Sequence, residues 1–196
     1  MANFRSSLGT LNALREQLAL RLTALLGGKP AVNLLSSQQL SSPPGTDALG
    51  IYLYRVAVDP YARNRHLPPP PGRKTPRPEL PINLHILLLG WSSSSDTEIT
   101  YLSAAMQVIG SSLSLDAAHL GLVDPSWGDQ DTLQVIPEEL STEDLTRLWD
   151  SLPGGYRLSV PYIIKTIRLE PDQEAPEPPL VKTIVHGMDV ATQVTP

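Results

Sequence analysis

The chain has 196 residues, 41% of them hydrophobic, with a net charge of −5 and no cysteine. That length supports one domain with a full core, and the acidic balance argues against general nucleic-acid affinity. The lack of cysteine excludes disulfides, thiol catalysis and cysteine-type zinc sites. Twenty prolines, about twice ordinary usage, fall in clusters, so ordered segments should be joined by stiff, extended loops.

In chain order, Leu11, Leu14, Leu18, Leu22 and Leu25 recur at helical spacing and predict a helix over 7–26. Ser6 or Ser7 is its expected cap, and Gly27-Gly28 ends it. Arg15, Glu16 and Arg21 interrupt the apolar pattern, so this is a helix packed on a sheet and neither a signal peptide nor a membrane span. Ala31–Leu35 reads as a short strand, and 36–47, with Pro43-Pro44-Gly45, as a polar loop. A strand follows over 49–58, apolar on both faces: Tyr52, Tyr54, Val56 and Val58 against Ile51, Leu53 and Ala57. The run INLHILLL, 82–89, predicts an equally apolar strand.

Between these strands lies an insertion, residues 60–81, with seven prolines from Pro68 to Pro81. Arg63, Arg65, Arg73, Lys74 and Arg77 stand there against a single Glu79. Such a segment has no hydrophobic period and reads as an exposed arm of polyproline character. Its five basic residues are the candidate partner-binding residues. The later third of the chain is acidic, so a basic projection and an acidic region on one subunit suit head-to-tail contact.

After Trp91, Ser95 and Glu98 predict a capping box opening a helix over 97–110 that carries Ile99, Leu102, Met106 and Ile109. Residues 116–122 suggest a further helical turn, 124–130 a loop around Trp127, and 132–136 a short strand. Ser141 with Asp144 reads as another capping box, with Leu140 and Leu145 as a hydrophobic staple. The helix over 142–152 puts Leu145, Leu148, Trp149 and Leu152 on one stripe. Pro153-Gly154-Gly155 breaks it, and a strand is expected over 156–169. Tyr156, Leu158, Val160, Tyr162 and Ile164 would share one face of that strand, opposite Arg157, Ser159 and Lys165. Residues 170–196 read as an acidic, proline-rich linker with LVKTIV as a strand candidate and a mobile end.

No catalytic constellation is legible. His85 sits mid-strand, where a core or interface role is expected, and His66, His119 and His186 show no metal-ligand spacing. The run Ser92–Ser95 lacks a nucleophile elbow. Gly27-Gly28-Lys29 follows a helix, unlike a phosphate loop. The expectation is therefore a non-enzyme with no metal and no cofactor.

Four segments together carry a resemblance: IYLYRVAVDPYARNRHLP, LPINLHILLLGWSSSSDTEITYLSAAMQVI, TLQVIPEELSTEDLTRLWDSL and GYRLSVPYIIKTIRL. In this order the chain resembles, over roughly residues 5–170, the N-terminal domain of the tail-terminator, or cap, proteins of extracellular contractile injection systems. These are the antifeeding-prophage and virulence-cassette type of particle. The resemblance implies a hexameric ring that closes the distal end of inner tube and sheath and contacts both proteins. It implies assembly in the cytoplasm and incorporation into a particle that can be released outside the cell. It implies no catalysis, no nucleic acid and no direct membrane insertion.

The expected fold is α/β: a mixed sheet from 49–58, 82–89, 132–136 and 156–169, covered by helices at 7–26, 97–110 and 142–152. Residues 1–169 form the expected domain, with the arm at 60–81 exposed and 170–196 as an extension. The alternative function is a stand-alone adaptor that holds an acidic protein through residues 63–77.

Overall fold

The structure is a computed structural model that describes residues 3–28, 30–42, 45–62, 66–67, 77–111, 113–121, 127 and 132–170. The leucine repeat at the N-terminus folds as α1 (Ser6–Leu26), with Leu11, Leu14, Leu18 and Leu22 buried. Leu25, expected on the same side, is 46% exposed, and in the last turn it is Leu26 that packs against the core. Arg5 is the N-cap and makes no side-chain cap bond, so neither Ser6 nor Ser7 caps the helix. Gly27, at φ 66°, supplies the left-handed residue that ends it.

β1 (Ala31–Leu35) follows, and then a one-turn helix, α2 (Ser37–Leu40), inside the stretch expected to be a plain loop. Ser36 and Gln39 form a reciprocal capping box: Gln39 N–H donates to Ser36 Oγ, and Ser36 N–H donates to Gln39 Oε1 at 2.8 Å. The two central strands are β2 (Ala48–Val58) and β5 (Leu80–Trp91); the two-residue strands β3 (His66–Leu67) and β4 (Arg77–Pro78) lie between them. α3 (Ser95–Gly110), β6 (Ser114–Leu115), α4 (Ala117–Gly121), β7 (Leu133–Pro137), α5 (Thr142–Asp150) and β8 (Ser159–Leu169) complete the order.

Six strands form one mixed sheet in the order β1-β2-β5-β8-β7-β6, in which β1 and β2 run parallel and every other pair is antiparallel. β3 and β4 make a separate two-stranded ribbon within the stretch 60–81. β5 is central and buried on both faces, which is why its sequence is an unbroken apolar run. On the first face Leu84, Ile86 and Leu88 pack with Leu14, Leu18 and Leu22 of α1 and Leu102, Ala105 and Ile109 of α3. On the second face Leu87, Leu89 and Trp91 join Leu35, Leu40, Tyr52 and Trp149, with Leu145 and Leu148 of α5 and Leu152 just past it packed against them.

Two bulges re-aim side chains. The register slips between Leu53 and Arg55, so Val56 and Val58 pair with Leu84 and Ile82 on the first face. The expected face of Tyr52, Tyr54, Val56 and Val58 is therefore split in the middle. A second slip, opposite Ile82 and Leu84, lets both Ile164 and Ile167 enter the first core. β8 begins at Ser159, three residues later than expected, and Tyr156 and Leu158 are exposed.

α3 also differs in detail. Its N-cap is Ser94, not Ser95, and Ser92 Oγ accepts from Ser94 N–H at 3.0 Å. Ala104, Ala105 and Val108 face the core, while Ile99 and Met106 are 55% and 42% exposed. At α5 the cap is Ser141, as expected. Asp144, however, accepts from the Ser141 hydroxyl at 2.7 Å, so the second half of a capping box is replaced by a side-chain bond.

Candidate interaction surfaces

The second face of the sheet is covered by α5 and α2 over only one half. Beyond them, the strands carry polar groups. His85 of β5, which the sequence left as a core or interface histidine, is buried and stands with Nδ1 2.8 Å from Glu138 Oε1. A carboxylate only accepts, so Nδ1 carries the hydrogen. Glu138 follows β7, and its Oε2 accepts from Tyr54 OH of β2 at 2.5 Å. One carboxylate thus ties β2, β5 and the link from β7 to α5. Burial first, then the hydrogen bond and charge of Glu138, raises the Tyr54 phenol well above its ordinary value. The three side chains satisfy one another's polar atoms and work as a polar tie.

A second network lies nearer the strand ends. Asp59, just past β2, accepts from Tyr61 N–H at 2.9 Å and from Thr166 Oγ1 at 3.1 Å. Burial pushes its carboxyl upward, but donors from Tyr61, Thr166, Ala62 and Asn83 outweigh burial and hold it below the ordinary carboxylate range. Among the described residues no group of three or more His, Asp or Glu side chains is placed to hold a metal ion. A groove of 410 Å³ beside β1 and α2 is lined by Asn33, Leu35, Gln39, Ser42, Gly45, Thr46 and Trp91, none of them titratable.

What the chain does offer is two unlike ends of its long strands. At one end, α5 presents Glu143, Asp144 and Asp150 to solvent, with Arg147 bound to Glu143 at 2.5 Å. Beside it Tyr156 and Leu158 are 60% and 42% exposed. Trp149 meets the Tyr156 ring edge-on, and Trp91 carries the Arg157 guanidinium 4.3 Å above its ring. At the other end, Arg168 is exposed and Val58 and Leu80 present 45% and 48% of their surface, while Arg55 and Val56, also exposed, pair with His85 and Leu84 at the middle of β5.

Of the five basic residues singled out in the sequence, Arg63, Arg65, Arg73 and Lys74 lie outside the described residues. Arg77 sits in β4, where its backbone pairs with Leu67. Residues 171–196, with the LVKTIV strand candidate, also lie outside, as do residues of 124–130 other than Trp127, which is buried. Sequence reasoning missed Glu138 as the partner of His85 and Tyr54. It stands 53 residues from His85, and no local pattern joins them.

Residues 9–183 match the Pvc16 N-terminal domain family. No curated protein matches the chain. Among solved structures, the sheath/tube terminator of the extracellular contractile injection system PVC, in its extended state, aligns with a TM-score of 0.56 at 18% identity. That alignment covers 94% of this chain and 65% of the other. The tube-terminating cap of the anti-feeding prophage aligns with a TM-score of 0.56 at 17% identity, over 91% of this chain and 60% of that one. The chain therefore spans under two thirds of the length of both, and what they share with it is the fold.

Proposed function

Because the chain belongs to the Pvc16 N-terminal domain family, we propose that it is a structural cap, a ring-forming terminator subunit that closes the distal end of the inner tube and sheath of a contractile injection system. The observation that carries this reading is a family match over residues 9–183 together with a fold common to a sheath/tube terminator and a tube-terminating cap. The polar networks suit it from within the chain, since they brace neighbouring strands against one another. The ring is hexameric and acts without catalysis, metal or cofactor, and its partners are further copies and the tube and sheath proteins.

The basic arm belongs to the same proposal. Arg63, Arg65, Arg73, Lys74 and Arg77 suit an acidic neighbour, and a proline-rich segment loses little entropy on docking. Replacing the five with Ser weakens end-binding and its salt sensitivity while leaving the fold unchanged by circular dichroism.

The deciding experiment adds purified protein to uncapped tube–sheath particles and images them by electron microscopy. Labelled protein at one end of each particle is expected. Binding along the whole shaft, or none, overturns the reading. So does turnover of an ester, phosphodiester or nucleotide that His85→Ala abolishes.

A further inference from the structure

We infer that residues 180–185, LVKTIV, run antiparallel to β2 along Leu53–Val58 and add a strand to the sheet of their own chain.

β1 pairs with β2 only as far as Tyr52. Among the described residues no strand pairs with Leu53–Val58 on that side, so the second half of β2 has an open edge there. An open edge presents N–H and C=O groups that a further strand can satisfy. The apolar surface at this edge is open as well. Val56 and Val58 pair with Leu84 and Ile82 of the first core, yet are 53% and 45% exposed. Leu80, two residues before Ile82 and so on the same face of β5, is 48% exposed. A strand laid along Leu53–Val58 would cover Val56 and Val58 and carry the first core one strand further.

The chain itself supplies the occupant. β2 and β8 both run antiparallel to β5, so β8 ends at Leu169, opposite Leu80, at the same end of the sheet as Val58. The outer side of β2 is three strand spacings from β8, about 14 Å. Residues 170–179, EPDQEAPEPP, span about 30 Å in an extended proline-rich form and reach it with slack. A segment arriving from that end runs back along β2, antiparallel to it. LVKTIV matches the open edge in length, six residues for six, and Val181, Thr183, Ile184 and Val185 are β-branched strand formers. The family match extends to residue 183 and takes in the start of this segment, as befits a piece of the same domain. β8 has an open edge of its own past Lys165, among the described residues. That edge is shorter, and its Ile167 is already buried, so a strand there would cover less apolar surface.

Hydrogen exchange of the full chain tests the contact at the amides of Leu53–Val58 that point away from β5. They should exchange at least about tenfold more slowly in the parent chain than in Val181→Asp with Ile184→Asp, while the β5 amides stay equally protected in both. Val181 and Ile184 lie on opposite sides of an extended segment, so one of them always faces the first core side of the sheet. Equal exchange at Leu53–Val58 overturns the inference, as does protection lost at Thr166–Leu169 instead. A second measurement leaves LVKTIV unchanged, so it does not depend on how the Asp variant folds. The chain has no cysteine, and Arg55→Cys with His186→Cys therefore carries two spin labels and no others. One narrow distance between them is expected, unaltered when the labelled chain is diluted in excess unlabelled protein. A broad distribution overturns the inference. So does a short distance that vanishes on dilution, because the segment would then belong to a neighbouring copy.

Discussion

The indole Nε1 of Trp149 donates a 3.0 Å hydrogen bond to Ser159 Oγ, and both residues are buried. The bond pins α5 to the first residue of β8 and satisfies the one polar atom of a side chain otherwise enclosed by Leu87, Leu89, Tyr52 and Leu40. Trp149→Ala should cost about 3–5 kcal/mol, the range for emptying a large aromatic site. Ser159→Ala should cost about 1–3 kcal/mol, because the indole donor is then buried without a partner. Urea midpoints of the two variants check both. A loss under about 1 kcal/mol for Trp149→Ala would mean that the second core is not closed by α5.

Tyr54 and Glu138 make the next prediction. The Tyr54 phenol is raised, so its contribution to stability is fully present below the ordinary tyrosine range and is lost as pH rises through the higher folded value. In a spectroscopic titration of the folded protein, Tyr54 should be among the last tyrosines to ionise. Tyr54→Phe should remove that late step and cost about 1.5–3 kcal/mol at neutral pH, as expected for a bond to a charged acceptor. An unchanged titration curve would count against the tie.

Much of this architecture is legible from residue order alone. β5 shows itself as an apolar run, α5 as a stripe ending in Trp149, and α1 as a leucine repeat, because each is fixed by local period. The bulge at Tyr54–Arg55 has no such marker. No glycine or proline stands there, so the flip of Val56 and Val58 to the first face is set by pairing with β5. α2 was missed although Ser36 and Gln39 spell its capping box, since a single turn leaves no hydrophobic period. The tie through Glu138 joins residues far apart in the chain, and the exposed ends of the strands emerge only once the sheet is assembled.

Asp59 should set an acid limit. Its folded carboxyl is held low, so its contribution is present above the ordinary carboxylate value and is lost as pH falls through the folded one. Stability measured by urea midpoint should therefore fall below about pH 4. Asp59→Asn should be less stable than the parent chain at neutral pH, with the gap closing in acid. A gap independent of pH would show that the donors around Asp59 stabilise shape and not charge.

Three glycines give a graded test of how the layers meet. A Cβ at Gly90 would come within 2.5 Å of the Glu98 backbone, because the first turn of α3 rests directly on β5 there. Nothing flexible can yield, so Gly90→Ala must lift α3 from the sheet, at a cost of about 1–3 kcal/mol or more. At Gly154 the obstacle is the Leu40 carbonyl oxygen, 2.1 Å from the new Cβ, and φ is +103° as well. Gly154→Ala therefore combines backbone strain with a clash between the turn after α5 and the end of α2, and should be the worst of the three. Gly110, the last residue of α3, has open space around its Cβ position. Gly110→Ala should be neutral or stabilising by about 0.5–1 kcal/mol, since it restricts the unfolded chain without a native clash. Thermal midpoints should follow the order Gly110→Ala, Gly90→Ala, Gly154→Ala from highest to lowest. If Gly90→Ala equals the parent chain, α3 does not sit on β5 at Glu98.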